Sequence, residues 1–323
     1  MERTTYQDRI MCLVAVTMAL FILLPVLTVQ PVMADTPEEH KSFATPLLAV
    51  DDLITAVRNN NEAELLYIFG PGSEDLIASG DEVADRNGRN RFVKACEKKL
   101  SLEQENEERV LLSVGSSDYP FPIPIIKHAD TWSFDTPAGI EEILNRRVGR
   151  NELHTIQVMQ VYTDAQREYA AMKHNGGSGE FAQYITSSDG KKDGLYWETG
   201  GEGPESPFGP LIARAVEEGY GGTMDREQPE PFHGYFFKIL KNQGEHAIGG
   251  AYDYVVDGRM ILGFGLVAYP AKYGASGIMT FIVNQEGVIY EKDLGENTAA
   301  AAAMTAFDPD DTWHMYEEAT EGQ

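Results

Sequence analysis

The chain is short of cysteine and short of positive charge. It carries 2 cysteines in 323 residues, Cys12 and Cys96. Cys12 lies in an apolar N-terminal stretch, so a processed chain keeps only Cys96 and has no internal disulfide to hold it. An exported domain of this kind depends on its core, and the chain is long enough to build one. In "RFVKACEKKL" an amphipathic helix turns Cys96 inward, which makes it an inert packing thiol rather than a nucleophile. Lys and Arg number 26 against 51 Asp and Glu, a formal charge of −25. A surface of that sign repels nucleic acid and anionic lipid headgroups. It suits calcium, basic partners or plain solubility, and the spread of the acidic residues favours a solvated surface.

Several catalytic signatures are missing. His154, His174, His233, His246 and His314 are scattered without an HExxH pair, so a zinc site has to be assembled by the fold, and loop or surface histidines are the expected reading. No GxSxG occurs, which disfavours a nucleophile elbow, although distant residues can still form a triad. "GGSGEF" lacks the lysine and spacing of a phosphate-binding loop, and "DRNGRN" and "DGKKDGLYWE" miss the EF-hand offsets. These absences remove a nucleotide site and read the two acidic segments as turns.

At the N-terminus, Arg3 and Arg9 precede an apolar run over residues 10–24, broken by Pro25 and followed by Val32-Met33-Ala34. This is the order of a secretory signal peptide, with cleavage expected after Ala34. The alternative is an uncleaved anchor, since the run is near the lower limit of about 17 apolar residues for a spanning helix. No later stretch is apolar enough to span a membrane. Loss of residues 1–34 removes Glu2, Asp8, Arg3 and Arg9, which cancel, so the charge stays at −25.

From Thr45-Pro46 the pattern predicts a capped helix with Leu47, Val50, Ile54 and Val57 on one stripe, ending at Asn59-Asn60-Asn61. A second helix is expected over 62–69, stopped by Gly70-Pro71, and a third from Asp81 towards Lys99 with Phe92, Val93 and Cys96 inward. "RVLLSVG", "FPIPIIKH" and "TWSFD" then read as short strands, the middle one an edge because of its prolines. Helices followed by a small sheet match, in element order, the cone-shaped nuclear-transport-factor or ketosteroid-isomerase fold. Thr136-Pro137 opens another helix with Ile140, Ile143, Leu144 and Val148 inward, and Asn151 is read as the cap of a longer one. That helix is expected to run to about Lys173, closed by Gly176-Gly177, with Val158, Tyr162, Ala165, Tyr169 and Met172 facing the core.

Residues 175–222 form a long Gly-, Ser- and acid-rich connection of the kind that is functional or mobile. Its aromatics Phe181, Tyr184, Tyr196, Trp197 and Phe208 argue against free disorder, and a short helix is expected over 210–218. The last third offers the strands "GYFFKIL", "AYDYVV", "RMILGFGLVAYP", "GIMTFIVN" and "GVIYEKD", turned at Asp257-Gly258 and between Asn284 and Gly287. Gly263 and Gly265 lie on one face of their strand, with the long helix as the expected cover.

The fold class is therefore α+β. N-terminal helices stand with a small antiparallel sheet, and a C-terminal antiparallel sheet packs on a long helix. The expected organisation is a signal peptide over 1–34, an N-terminal unit over 35–150 and a C-terminal unit over 151–323.

The strings "RRVGRNEL", "AQREYA", "KKDGLYW", "FHGYFFKILKNQG", "GGAYDYVVDGRMILGFGLVAYPAKYG", "GIMTFIVNQEGVIYEKDLG" and "FDPDDTW" resemble the bacterial domain-of-unknown-function family 2950 over residues 43 to about 316. The resemblance implies an exported bacterial protein and supplies no activity and no catalytic residues. The order of helix, variable loop, "GYFF" strand and "TFIVNQEGVIY" is similar to the heads of type II secretion pseudopilins, without their methylated N-terminus or continuous apolar helix.

In "FDPDDTWH", Asp308, Asp310 and Asp311 offer hard oxygens to a metal such as calcium. The competing reading is a helix stop with a cap, favoured because calcium takes 6–8 oxygens and only three carboxylates are local. Arg146, Arg147 and Arg150 are a basic island that can hold an anionic ligand or pair with acidic neighbours between the two halves, the latter preferred. Tyr196 and Trp197 of "GLYW" are further candidates for ligand or interdomain contacts, although aromatics at such positions are usually core.

The expected function is a periplasmic or secreted, non-catalytic envelope protein for binding or assembly. It acts on an envelope protein or a small ligand, with no cofactor (calcium aside), no nucleic acid and no membrane span after cleavage. The alternatives are an envelope hydrolase or other pocket enzyme, and a calcium-stabilised, pseudopilin-like assembly component.

Overall fold

In the computed structural model, the described residues are 40–172, 179–198, 205–221 and 230–317. The expected signal peptide, Lys173 and the Gly176-Gly177 stop lie outside them. The first helix, α1 (Pro46–Arg58), starts where Thr45 accepts from the Leu48 N–H at 3.3 Å, with proline in the first turn. Asn61 caps α2 (Glu62–Phe69) through the Glu64 N–H. The four-residue α3 (Glu74–Ile77) carries too little pattern to be predicted. Asp81 caps α4 (Glu82–Lys98) by accepting from the Ala84 N–H at 2.9 Å.

The first sheet is larger than expected. Before β2 (Arg109–Val114) stands β1 (Leu100–Asn106), and β3 (Tyr119–Pro120), β4 (Ile125–His128) and β5 (Thr131–Phe134) follow. The order is β1-β2-β4-β5, with β3 on the side of β2. β1 is polar and exposed along its second half, so its register with β2, from Leu100 opposite Val114 to Asn106 opposite Arg109, organises it rather than any alternation of its own. Helices and sheet share an apolar core that includes Val50, Leu53, Ile68, Leu112, Ile125 and Phe134.

A short 3₁₀ turn (Thr136–Ala138) leads into one unbroken helix of 32 residues, α5 (Ile140–Ala171). The two helices expected on either side of residue 150 are thus one, and the dividing line drawn there falls inside it. Asn151 is no cap: its side chain is buried and donates to the Ser276 carbonyl at 2.9 Å. A buried tertiary bond takes up the amide that local reasoning assigned to a helix start. All described residues belong to a single compact unit.

After α6 (Gly209–Glu218) comes the main antiparallel sheet. It is built from β6 (Tyr235–Leu240), β11 (Gly265–Pro270), β12 (Met279–Asn284), β13 (Ile289–Asp293) and β15 (His314–Met315), in the order β15-β13-β12-β11-β6. Its inner face meets α5 through Leu266, Ala268, Phe281 and Val283 against Met159, Tyr162 and Ala165. Val158, Tyr162, Ala165 and Tyr169 are buried as the periodicity predicts. The opposite face, with Leu240, Val267 and Ile282, is covered by Phe307 and Trp313.

The run "RMILGFGLVAYP" does not form one strand. The Asp257-Gly258 turn, with both residues at positive φ, closes only the two-residue pairing of β9 (Val255–Val256) with β10 (Arg259–Met260). The Ile261 and Leu262 N–H groups then both reach the Tyr254 carbonyl, which turns the chain before β11 begins. Gly263 therefore lies outside the strand, and a side chain on Gly265 would meet Leu240 Cβ at 3.1 Å and Phe307 Cβ at 3.5 Å. That is the face away from α5, which corrects for Gly265 the expectation that the long helix covers it, whereas a side chain on Gly263 would meet Tyr254 of the α5 core at 2.8 Å. β7 (Asn242–Gln243), β8 (Tyr252–Asp253) and β14 (Ala306–Phe307) form a small third sheet, and α7 (Thr298–Ala303) precedes β14. Among the described residues no helix is long and apolar enough to cross a membrane.

Candidate functional site

Where α4, α5 and α6 meet, a cavity of about 700 Å³ opens beside the N-terminal core. The size is that of small-molecule pockets, roughly 300–1,000 Å³. Leu53, Val57, Leu65, Phe69, Phe92 and Phe121 supply an apolar wall. Five arginines, Arg89, Arg91, Arg147, Arg150 and Arg214, also line the cavity, with Lys94 and the carboxylates Asp85, Glu217 and Glu218. On α5 the polar lining residues Arg147, Arg150, Asn151 and His154 follow one another at helical spacing i, i+3, i+4 and i+7, which puts them on one face. An excess of cations in the lining, in a chain of charge −25, is the departure that marks this place.

Three of the arginines are engaged. Arg89 pairs with Glu62 at 2.9 Å and donates to the Ile77 carbonyl at 2.7 Å. Arg147 donates to the carbonyls of Asp75 at 2.7 Å and Leu76 at 2.6 Å, capping the C-terminal end of α3. Burial lowers the guanidinium's pKa, and the neighbouring Asp85 opposes that shift; the Asp85 carboxyl is itself raised by burial and accepts from the Ser79 N–H at 2.8 Å. Arg214 bonds Glu218 at 3.0 Å on its own helix. Arg91 and Arg150 make no hydrogen bond or ion pair within the described residues.

Two histidines distant in sequence meet here. The rings of His154 and His233 have centroids 4.4 Å apart, and His233 Nε2 lies 2.9 Å from Glu218 Oε2. Burial, followed by the His154 imidazole, pushes His233 down to about 4. Burial likewise lowers His154, with Arg214 next. Both rings are accordingly neutral at pH 7. Neutral His233 meets the Glu218 carboxylate as the Nε2–H tautomer, since only a donor suits that oxygen. The expectation of scattered loop or surface histidines is thus corrected for this pair.

The segment "FHGY" is held by a single carboxylate. Buried Asp81 caps α4 and also accepts from the Tyr220 hydroxyl at 2.9 Å and the Gly234 N–H at 2.8 Å. Tyr220 in turn accepts from the His233 N–H at 3.1 Å. His233 sits in left-handed backbone, φ 50°, unusual for a side-chain-bearing residue and maintained by these bonds. Its neighbour has to be glycine, because a Cβ on Gly234 would stand 2.5 Å from Asn151 Nδ2.

The other sequence candidates are dispersed. Arg146 pairs with Glu142 at 2.6 Å and bonds the Tyr119 hydroxyl at 2.6 Å, tying α5 to β3. Trp197 is buried, edge-on to Tyr169, and Tyr196 packs on the same core, so both serve packing rather than a groove. Asp308 accepts from the His246 backbone N–H at 2.8 Å, while Asp310 holds the Thr312 N–H at 2.9 Å and its hydroxyl. Asp311 is exposed, and no three acidic, histidine or cysteine side chains converge on a metal position among the described residues. Burial raises the Cys96 thiol to about 11, consistent with an inert role. Of the cavity's arginines, Arg89, Arg91 and Arg214 escaped sequence reasoning; the dense "DRNGRNRF" stretch next to a cap was the one available signal.

The family model described as Protein of unknown function (DUF2950) matches residues 40–316, the whole span from the first core helix to the last strand. The chain belongs to the DUF2950 family. No curated protein and no solved structure matches it. The similarities to pseudopilin heads and to the cone-shaped fold therefore find no support, while this DUF2950 chain is α+β as its pattern predicts. The family match covers every cavity residue named above.

Proposed function

We propose that this DUF2950 protein is an exported, non-catalytic binding protein that holds a small molecule with an apolar body in the cavity between α4, α5 and α6. The observation that carries the reading is the cavity itself, about 700 Å³, lined by apolar side chains and by charged ones among which cations are in excess. Apolar lining with a few placed polar groups is the usual make-up of a ligand pocket. Export to the periplasm or beyond rests on the basic, apolar and small-residue order of residues 1–34. The acidic exterior argues against nucleic acid as partner.

Thermal unfolding of the purified protein against alkyl compounds, glycans, peptides and metabolites tests this. A ligand of the folded state raises the melting temperature in proportion to the logarithm of its concentration over Kd. Silence from every compound with an apolar body would refute the cavity reading, and retention of the protein in the cytoplasm on fractionation would refute export.

A hydrolase is the second reading, and the pairing of His233 with Glu218 beside His154 favours it. A base ordinarily has a pKa near the working pH, and His233 lies far below. Ser79, which lines the same cavity, hydrogen-bonds Asp85 instead of a histidine. Ester or phosphoester turnover abolished in His233→Gln would reverse the order of these readings.

A further inference from the structure

Resting on the cavity reading, we propose that Arg91 and Arg150 form an oxyanion subsite, so that the ligand is an amphipathic anion: a carboxylate or phosphate group on an apolar body. Both arginines line the cavity, one from α4 and one from α5. Burial, and then the Arg91 charge, lowers Arg150. Both residues are exposed, so water screens their repulsion, and what sets them apart is the lack of an acidic partner among the described residues in a chain where acidic residues outnumber basic ones 51 to 26. No carboxylate among the described residues reaches either guanidinium, whereas Arg89 and Arg214 have Glu62 and Glu218.

The donors left over suit an oxyanion. Each guanidinium presents a rigid fork of N–H groups that matches carboxylate and phosphate oxygens two at a time. His154 Nδ1 is buried without a hydrogen-bond partner among the described residues, and Arg150 and Arg91 are among the charges that act on that ring. It can supply a further contact to the same group. The apolar body has its own place, because Phe92 directly follows Arg91 and stacks towards Phe121 with centroids 5.5 Å apart. Head and tail of one molecule would thus be read by adjacent residues of α4.

Binding of dodecanoate, dodecyl phosphate, dodecanol and inorganic phosphate to the full chain, followed by calorimetry, tests the subsite. Both alkyl anions are expected to bind about tenfold or more tighter than dodecanol, as charge-assisted hydrogen bonds imply. The tighter of the two identifies the headgroup, and inorganic phosphate is expected to bind far more weakly than either. In Arg91→Gln/Arg150→Gln the anions should fall to the affinity of dodecanol, with dodecanol unchanged. Arg58→Gln, which removes a surface charge paired with Glu97, should leave all four as they were. Anions no tighter than dodecanol, or an unaltered double variant with native melting, would overturn the subsite while leaving the cavity reading in place. Failure of all three alkyl probes would overturn the cavity reading itself.

Discussion

The two apolar cores of this protein are built on different terms. In the core between α5 and the main sheet, the largest fully buried side chains are three tyrosines whose hydroxyls are all used. Tyr162 donates to the Gly265 carbonyl at 3.0 Å and accepts from Gln166, Tyr235 donates to the Met279 carbonyl at 2.9 Å, and Tyr254 donates to Gln243 at 3.1 Å. The N-terminal core is aliphatic and phenylalanine, with Leu53, Ile68, Leu112, Ile123, Ile125 and Phe134 fully buried. Its hydrophobic side continues into the cavity wall through Leu53, Val57 and Phe69. The first core satisfies its polar groups internally and holds the sheet in register. The second leaves apolar surface and two cations that have no hydrogen bond or ion pair among the described residues, the make-up expected of the proposed binding site.

Substitutions can break this contrast, and the largest effect is expected in the tyrosine core. Tyr162→Ala should cost about 3–5 kcal/mol in denaturant unfolding, the range for emptying a buried aromatic site. Tyr162→Phe should cost about 1–3 kcal/mol, because Gln166 and the Gly265 carbonyl lose a partner in a dry place. A cost near zero for both would mean that this core is not the rigid half.

Arg147→Met comes next. It removes the clamp on the carbonyls of Asp75 and Leu76 and the charge near half-buried Asp85, at about 1–3 kcal/mol. The same change at Arg91 should stay within about 0.5 kcal/mol, since no contact within the described residues is lost and repulsion is relieved. Equal costs at the two positions would make Arg91 structural and erase the distinction between clamp and subsite.

The smallest effect is a slope with pH. His233 stands near 6.5 in the unfolded chain and about 4 when folded, so the unfolded state takes up the proton first on acidification. Stability should be unaffected by this group above pH 6.5 and should fall progressively between pH 6.5 and 4. His233→Gln should flatten part of that fall in a pH series of melting curves. An unchanged slope would mean that the imidazole is more solvated than its position beside His154 and Glu218 implies.

Much of the framework is legible without coordinates. Thr45 caps the first helix as local rules assign, the next helices begin at Glu62 and after Asp81 as expected, and Val158, Tyr162, Ala165 and Tyr169 are buried along the long helix. The site is less legible. Arg147 and Arg150 stand out as a basic island, but only the fold shows that Arg147 is taken up by the carbonyls at the end of α3 while Arg150 has no hydrogen bond or ion pair among the described residues. Trp197, read as a possible contact residue, is taken up by the core at Tyr169. The break expected at Asn151 is overridden by its bond to Ser276.

By itself, then, the chain's order of residues determined the family, the α+β class, most element positions and the sign of the surface. These follow from capping, periodicity and composition, which act within a few residues or need no geometry. Only the tertiary structure decided that His154 meets His233, that Asp81 anchors "FHGY", and that Arg91 and Arg150 line a cavity with no counter-ion among the described residues. Each of these depends on packing between segments far apart along the chain, where one buried hydrogen bond or one missing carboxylate outweighs any local preference.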